Sequence, residues 1–155
     1  MNRNRRRQGG FSLMELLIVV AILMIIGAIA IPRINTALMN AKEMAATREL
    51  HNLITAETQY MSQFGRYATS LAELGPPTSG QPNPSGADLI TGEMAKGVKN
   101  GYKFTLQGSP QGFSAQASPQ AFGGTGRRTF FADQTGTIRQ NWGAEPATAA
   151  SEELK

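Results

Sequence analysis

The stretch RRRQGGFSLMELLIVVAILMIIGAIAIP, residues 5–32, decides the fold. From Leu16 to Ile31 it contains no charged residue, and with Phe11–Glu15 the segment is 21 residues long. As a helix rising about 1.5 Å per residue, it matches the roughly 30 Å hydrocarbon core of a bilayer. Arginines 3, 5, 6 and 7 precede it, and Arg33 alone follows closely. Counting positive charges on the two sides leaves the N-terminus in the cytoplasm and everything after Pro32 outside. One residue does not fit. Glu15 places a carboxylate inside a stretch that is otherwise built for lipid.

Those four arginines also account for the basicity of the chain. The formal charge is +4, and residues 1–10 carry no acid. From Phe11 onward, eleven basic residues balance eleven acidic ones. The charge therefore belongs to the N-terminal tip and not to a groove for phosphates, so no nucleic-acid partner is expected. At 155 residues the chain is one small domain plus an extension. Without cysteine it has no disulfide, no thiolate catalysis and no sulfur-ligated zinc site.

Three readings of the apolar segment compete. It can be a cleaved signal peptide, with Ala28–Ala30 as a small-residue site. It can be a plain membrane anchor, in which Glu15 is tolerated by snorkelling to the interface. Or it can follow a leader cut on its cytoplasmic side, at Gly10–Phe11, so that the mature protein keeps the helix. Glu15 lies where a signal peptide is apolar, and the helical pattern does not stop at residue 30.

The residues GG-FSLMELLIVVAILMIIGAIAIP resemble the class III signal of the type IV pilin and type II secretion pseudopilin superfamily. The pattern is a short basic leader, a glycine, phenylalanine, glutamate four residues on, and an apolar helix interrupted by proline. It spans residues 5 to about 34. The resemblance implies a leader peptidase, also an N-methyltransferase, that cuts after Gly10 and methylates the new amine of Phe11. It implies a non-enzymatic subunit that waits in the inner membrane, C-terminal domain in the periplasm, and is polymerised on an inner-membrane assembly platform. The product is a homopolymer, either a cell-surface type IV pilus or a periplasmic type II secretion pseudopilus. No cofactor is implied.

On this reading Glu15 has a physical role. Cleavage creates an ammonium about 6 Å of helix rise away, and Glu15 occupies the first turn, where the helix dipole favours an anion. An unpaired acid at mid-membrane costs about 2.5–3.5 kcal/mol, less near the interface. A charge pair at 4 Å returns about 4 kcal/mol at an effective dielectric of 20. Lipid tails are as apolar as leucine, so apolar contact alone cannot drive helix association. A carboxylate seeking a neighbour's terminal amine supplies the bias, and a head-to-tail contact that does not close builds a helical filament. Pro32 removes a backbone donor and Gly27 weakens the helix nearby. The pair reads as a membrane-exit kink or as a flexible point.

The expected organisation is α+β: a leader at 1–10, an assembly helix at 11–32 and its soluble continuation at 33–65. A short helix and loop fill 66–100, an antiparallel sheet 101–142 and a flexible tail 143–155. Ile34, Leu38, Ala41 and Ala45, then Ala46, Leu50, Leu53/Ile54, Tyr60/Met61 and Phe64, recur at helical spacing. Gly65 stops that helix, and Ser70 with Glu73 is spaced as a capping box for the next. From Gly101 the period becomes two: Tyr102, Phe104 and Leu106 share one face, as do Phe113, Ala115 and Ala117. RTFFAD and GTIRQN flank a turn at Asp133–Gly136. The sheet should cover the apolar stripe of the exposed half of the helix.

Catalytic chemistry is not visible. His51 is the sole histidine, and AFGGTGRR lacks the strand–glycine–helix context of a phosphate loop. Pseudopilins of this superfamily often hold calcium in a C-terminal loop, but Asp88 and Asp133 are the only aspartates, and Asp133 reads as a turn residue bonding its own backbone. No metal is expected. The competing reading of another class is a minor, tip-located pilin or a membrane-anchored module that binds a partner.

Overall fold

The computed structural model describes residues 10–78 and 80–154, so all but the last residue of the basic leader lies outside the described residues. The chain divides into two compact units, one ending at Thr36 and one beginning at Ala37. Helix α1, Leu13–Phe64, runs through both. Within the first unit it continues through Gly27 and Pro32, and the Thr36 hydroxyl donates to the Pro32 carbonyl at 3.1 Å. Every large apolar side chain from Phe11 to Ile31 is exposed.

In the second unit, α1 buries one stripe: Met39, Glu43, Ala46, Leu50, Leu53, Glu57 and Tyr60. These follow one another at three or four residues, the spacing of one helix face. The stripe differs from the expected one at its start. Ile34 and Leu38 stay exposed, as does Met61, and the helix presents Met39 and Glu43 in their place. Gly65, in the left-handed region at φ 72°, ends the helix and donates its N–H to the Met61 carbonyl at 2.9 Å.

Two four-residue helices follow, α2 at Leu71–Leu74 and α3 at Gly92–Ala95. The Thr91 side chain caps α3 by accepting from the Met94 N–H. The expected capping box at α2 does not form as written. Ser70 makes no side-chain cap bond; Glu73 instead reaches one residue further back, accepting from the Thr69 N–H at 3.0 Å and its hydroxyl at 2.9 Å.

Six strands form one antiparallel meander in chain order: β1 Val98–Lys99, β2 Tyr102–Ser109, β3 Gly112–Pro119, β4 Arg128–Asp133, β5 Ile138–Trp142 and β6 Glu152–Glu153. The sheet thus begins three residues before the expected Gly101. The register pairs Phe104 with Ala117 and Ala117 with Phe130, which brings the predicted apolar faces onto one side. That side meets α1 in a core of Ala46, Leu50, Leu53 and Tyr60 against Tyr102, Phe104, Phe130 and Ile138. The architecture is α+β, a long N-terminal helix whose second unit is backed by the sheet.

The C-terminal residues are a correction. A flexible tail was expected from 143, because GAEPATAASEELK carries little apolar surface. The structure returns this segment to the sheet. The Thr129 hydroxyl and the Asn141 amide both donate to the Glu145 carbonyl, Ala147 is buried, and β6 pairs with β5. Arg139 clasps it twice, donating to the Ser151 carbonyl at 3.1 Å and pairing with Glu153 at 3.1 Å. The reason is on β4, whose Thr129 and Phe131 are buried although they lie on the face away from the main core. An apolar strand with two buried faces needs a second cover, and backbone hydrogen bonding lets a polar segment supply it.

Gly108 on β2 sets how closely the sheet approaches the α1–α2 connection. A Cβ there would stand 1.9 Å from the Ala68 carbonyl oxygen and 2.7 Å from its carbon. Backbone on both sides leaves nothing to rotate away. Gly108→Ala should therefore destabilise the domain by about 1–3 kcal/mol, measured as a lower urea midpoint with an unchanged slope.

Candidate assembly interface

The residues singled out in the sequence all lie in the chain's first unit, Gly10, Phe11 and Glu15 near the start of α1 and Gly27 and Pro32 further along it. Gly10 and Phe11 precede α1, and the Ser12 carbonyl accepts the Leu16 N–H at 3.1 Å, opening the helix. Glu15 lies in the first turn and is exposed. Within this chain the Phe11 nitrogen is a peptide N–H, so it offers Glu15 no charge. Among the described residues nothing pairs with the Glu15 carboxylate. Around it Phe11, Leu13, Met14, Leu16 and Leu17 are each more than half exposed. The helix is therefore a bare apolar rod with one unmatched acid near its end. Gly27 is helical and has nothing within 4 Å of where a Cβ would stand, so no close approach inside the chain requires a glycine there.

Three further carboxylates on α1 face inward and were not singled out as sites. Glu43 is 2% exposed. Its Oε1 accepts the Arg127 backbone N–H at 2.7 Å and its Oε2 the Arg128 Nε–H at 2.7 Å. Arg128 in turn donates to Gln140 at 2.9 Å, and its guanidinium lies 4.9 Å from the Trp142 ring centre and 5.5 Å from that of Phe130. Arg128 is thus the partner of a buried acid and lies over two aromatic rings. Tyr102 donates its hydroxyl to the Arg128 carbonyl, and burial together with the nearby Glu43 charge pushes its ionisation well above the usual phenol range. Glu49 pairs with Lys99 of β1 at 2.7 Å.

Glu57 is fully buried. Its Oε2 accepts the Ala68 N–H at 2.9 Å, while its Oε1 has no partner. Burial raises its pKa to about 7, against the lowering effect of the Ala68 N–H, with the Glu73 charge adding to the rise. Glu73 behaves oppositely. Burial alone would raise it, but hydrogen bonds from Arg66, Thr69 and Tyr60 outweigh burial and hold it below the usual carboxylate range. Arg66 meets it at 2.9 Å. Asp133, as expected of a turn residue, accepts the Thr135 N–H at 2.9 Å. Among the described residues no three histidine or acidic side chains converge on a point that could hold a metal ion.

Comparison with known proteins bears on the exposed rod. Residues 5–31 match the family model described as the prokaryotic N-terminal methylation motif. The type IV major pilin protein PilA of Myxococcus xanthus is 39% identical over 75 residues, covering 48% of this chain and 34% of that protein. The type IV wide pilus major component PilA4 of Thermus thermophilus is 33% identical over 69 residues, covering 44% of this chain and 53% of the other. These findings support the type IV pilin superfamily. The matches span about a third to a half of the length of these two relatives. No solved structure gives a significant match. The pilin-type methylation motif thus coincides with the rod, its unmatched acid and the Gly10–Phe11 junction.

Glu57 generates a pH test on the second unit. Its folded pKa of about 7 lies above the ordinary 4.5, so between these values the native state holds a proton that the unfolded chain releases. Its contribution is complete below pH 4.5 and is lost as the pH rises through about 7. The expected loss is on the order of 3 kcal/mol at most. Glu57→Gln should remove this slope, so that the variant gains stability over the parent at pH 8 relative to pH 5, measured by urea unfolding at both values.

Proposed function

We propose that the chain is a prepilin, a structural subunit cleaved after Gly10 and N-methylated on Phe11. It is held in the inner membrane by residues 11–32 with the N-terminus cytoplasmic and the C-terminal domain periplasmic. A prepilin peptidase and an assembly platform then pass it into a homopolymeric filament. One observation carries this reading: a membrane-length apolar segment, Phe11–Ile31, with every large side chain exposed and a Glu15 that has no partner among the described residues. Both features require something outside the chain. Lipid and then neighbouring helices satisfy the apolar surface, and the freed Phe11 amine of an adjoining copy satisfies the acid.

The contact is heterologous, so it propagates instead of closing. Glu15 supplies the counter-charge and the register, Phe11 the amine, and Gly10 the residue the peptidase requires. Gly27 and Pro32 are the point at which the helix loosens when a subunit leaves the bilayer, since glycine is a weak helix former and proline takes no backbone bond. Both relatives are type IV pilus subunits, which favours a type IV pilus over a secretion pseudopilus. The role is structural and uses no cofactor.

Glu15→Ala is the test. The variant should be cleaved and inserted like the parent but fail to enter filaments, measured by electron microscopy of sheared surface fractions beside an immunoblot for the processed band. Filaments in normal number from Glu15→Ala would refute charge pairing as the driver of assembly.

A further inference from the structure

The second unit has an aromatic and basic rim that its own core does not use. Trp142, the only tryptophan, is 66% exposed, and Phe122 in the β3–β4 loop is 53% exposed. Local pairing brings them to the same end of the sheet. Trp142 is opposite Arg128, Gly143 donates to the Arg127 carbonyl, and the Phe122 loop closes by pairing Phe122 with Gly126, next to Arg127. Thr125 of that loop and the Lys42 side chain both lie against Gly101. The rim therefore gathers beside Lys42 and Glu43 of α1, within the second unit.

Its chemistry is that of a membrane interface. Trp142 presents an exposed ring whose indole N–H bonds to nothing among the described residues, with the Arg128 guanidinium on the ring. Arg127 and Lys42 have no ion-pair partner among the described residues, because Glu43, the carboxylate at this rim, is already taken by the Arg127 N–H and Arg128. Amphipathic rings settle at headgroup level, and cations beside them are drawn to anionic lipid. In chain terms, Lys42 is eleven residues past Ile31, the last residue of the apolar segment.

We propose that this rim, through Trp142 and Phe122 with Arg127 and Lys42, docks on the anionic phospholipid surface while the subunit waits in the membrane. The proposal rests on the membrane-anchored reading above. Docking of this kind would restrain the second unit before assembly and would be released when the subunit is withdrawn.

Because Trp142 is the only tryptophan, its emission reports on this contact alone. The full chain is reconstituted into phosphatidylethanolamine–phosphatidylglycerol vesicles, with or without lipid brominated near the headgroup, and flotation is measured on the same samples. The expected result is a chain that floats with the vesicles, a blue-shifted Trp142 emission and loss of most of its intensity to brominated lipid. Phe122→Asp combined with Arg127→Glu should float equally well and lose the shift and the quenching. A floating parent chain whose emission ignores brominated lipid overturns the proposal and leaves the anchor intact. A shift that grows with protein density at fixed lipid, without quenching, assigns the rim to a second copy and also overturns it. A chain that does not float removes the anchor and the proposal together.

Discussion

An apolar helix with no cover of its own is the constraint on which the rest depends. From Phe11 to Ile31 the described structure buries none of the large side chains, and the segment is long enough to cross a bilayer. Water is the wrong solvent for that surface: at about 25 cal/mol per Å² each exposed leucine or isoleucine forgoes roughly 1.5–3 kcal/mol. The surface therefore demands lipid or other copies of itself. Those two environments are not equivalent for Glu15. Lipid penalises an isolated carboxylate, whereas an array of helices can bring it a cation. On the proposed reading, this single residue biases the subunit from lipid toward the filament.

The same helix solves a different problem beyond Ala37. There its acids turn inward, and each meets a defined group: Glu43 at Arg127 and Arg128, Glu49 at Lys99, Glu57 at Ala68. Removing one partner of a buried ion pair is costly, whereas the pair itself adds little net stability. These contacts accordingly act on register more than on strength. They fix which turn of α1 faces the start of β4 and which faces the α1–α2 connection, while the aromatic and alanine core supplies the burial. Glu57 is the exception: one oxygen is unmet, and burial raises its pKa to about 7, so its expected effect on stability falls between pH 4.5 and about 7.

Much of this was legible in advance. The membrane-length segment, the stop at Gly65, the period-two faces of β2 and β3 and the Asp133 turn all follow from local chemistry that tertiary contacts did not override. The misplaced start of the buried stripe and the misread tail share one cause, which is polar groups satisfied at long range. Glu43 interrupts the hydrophobic periodicity, so the buried stripe was placed on Ile34 and Leu38 when the partner that makes Glu43 tolerable lies 85 residues away. The tail looked free because its anchors are backbone carbonyls, such as that of Glu145, which have no signature in the side-chain sequence.

The central claim is that the apolar helix stays on the mature subunit and that its freed Phe11 amine settles the acid at Glu15. Intact-mass and N-terminal peptide spectrometry of protein purified from its own membrane or filament fraction addresses that claim most directly. A chain beginning at Phe11, heavier there by one methyl group, is the predicted result. A chain beginning at Ile31, with the helix discarded, would contradict the account at its root.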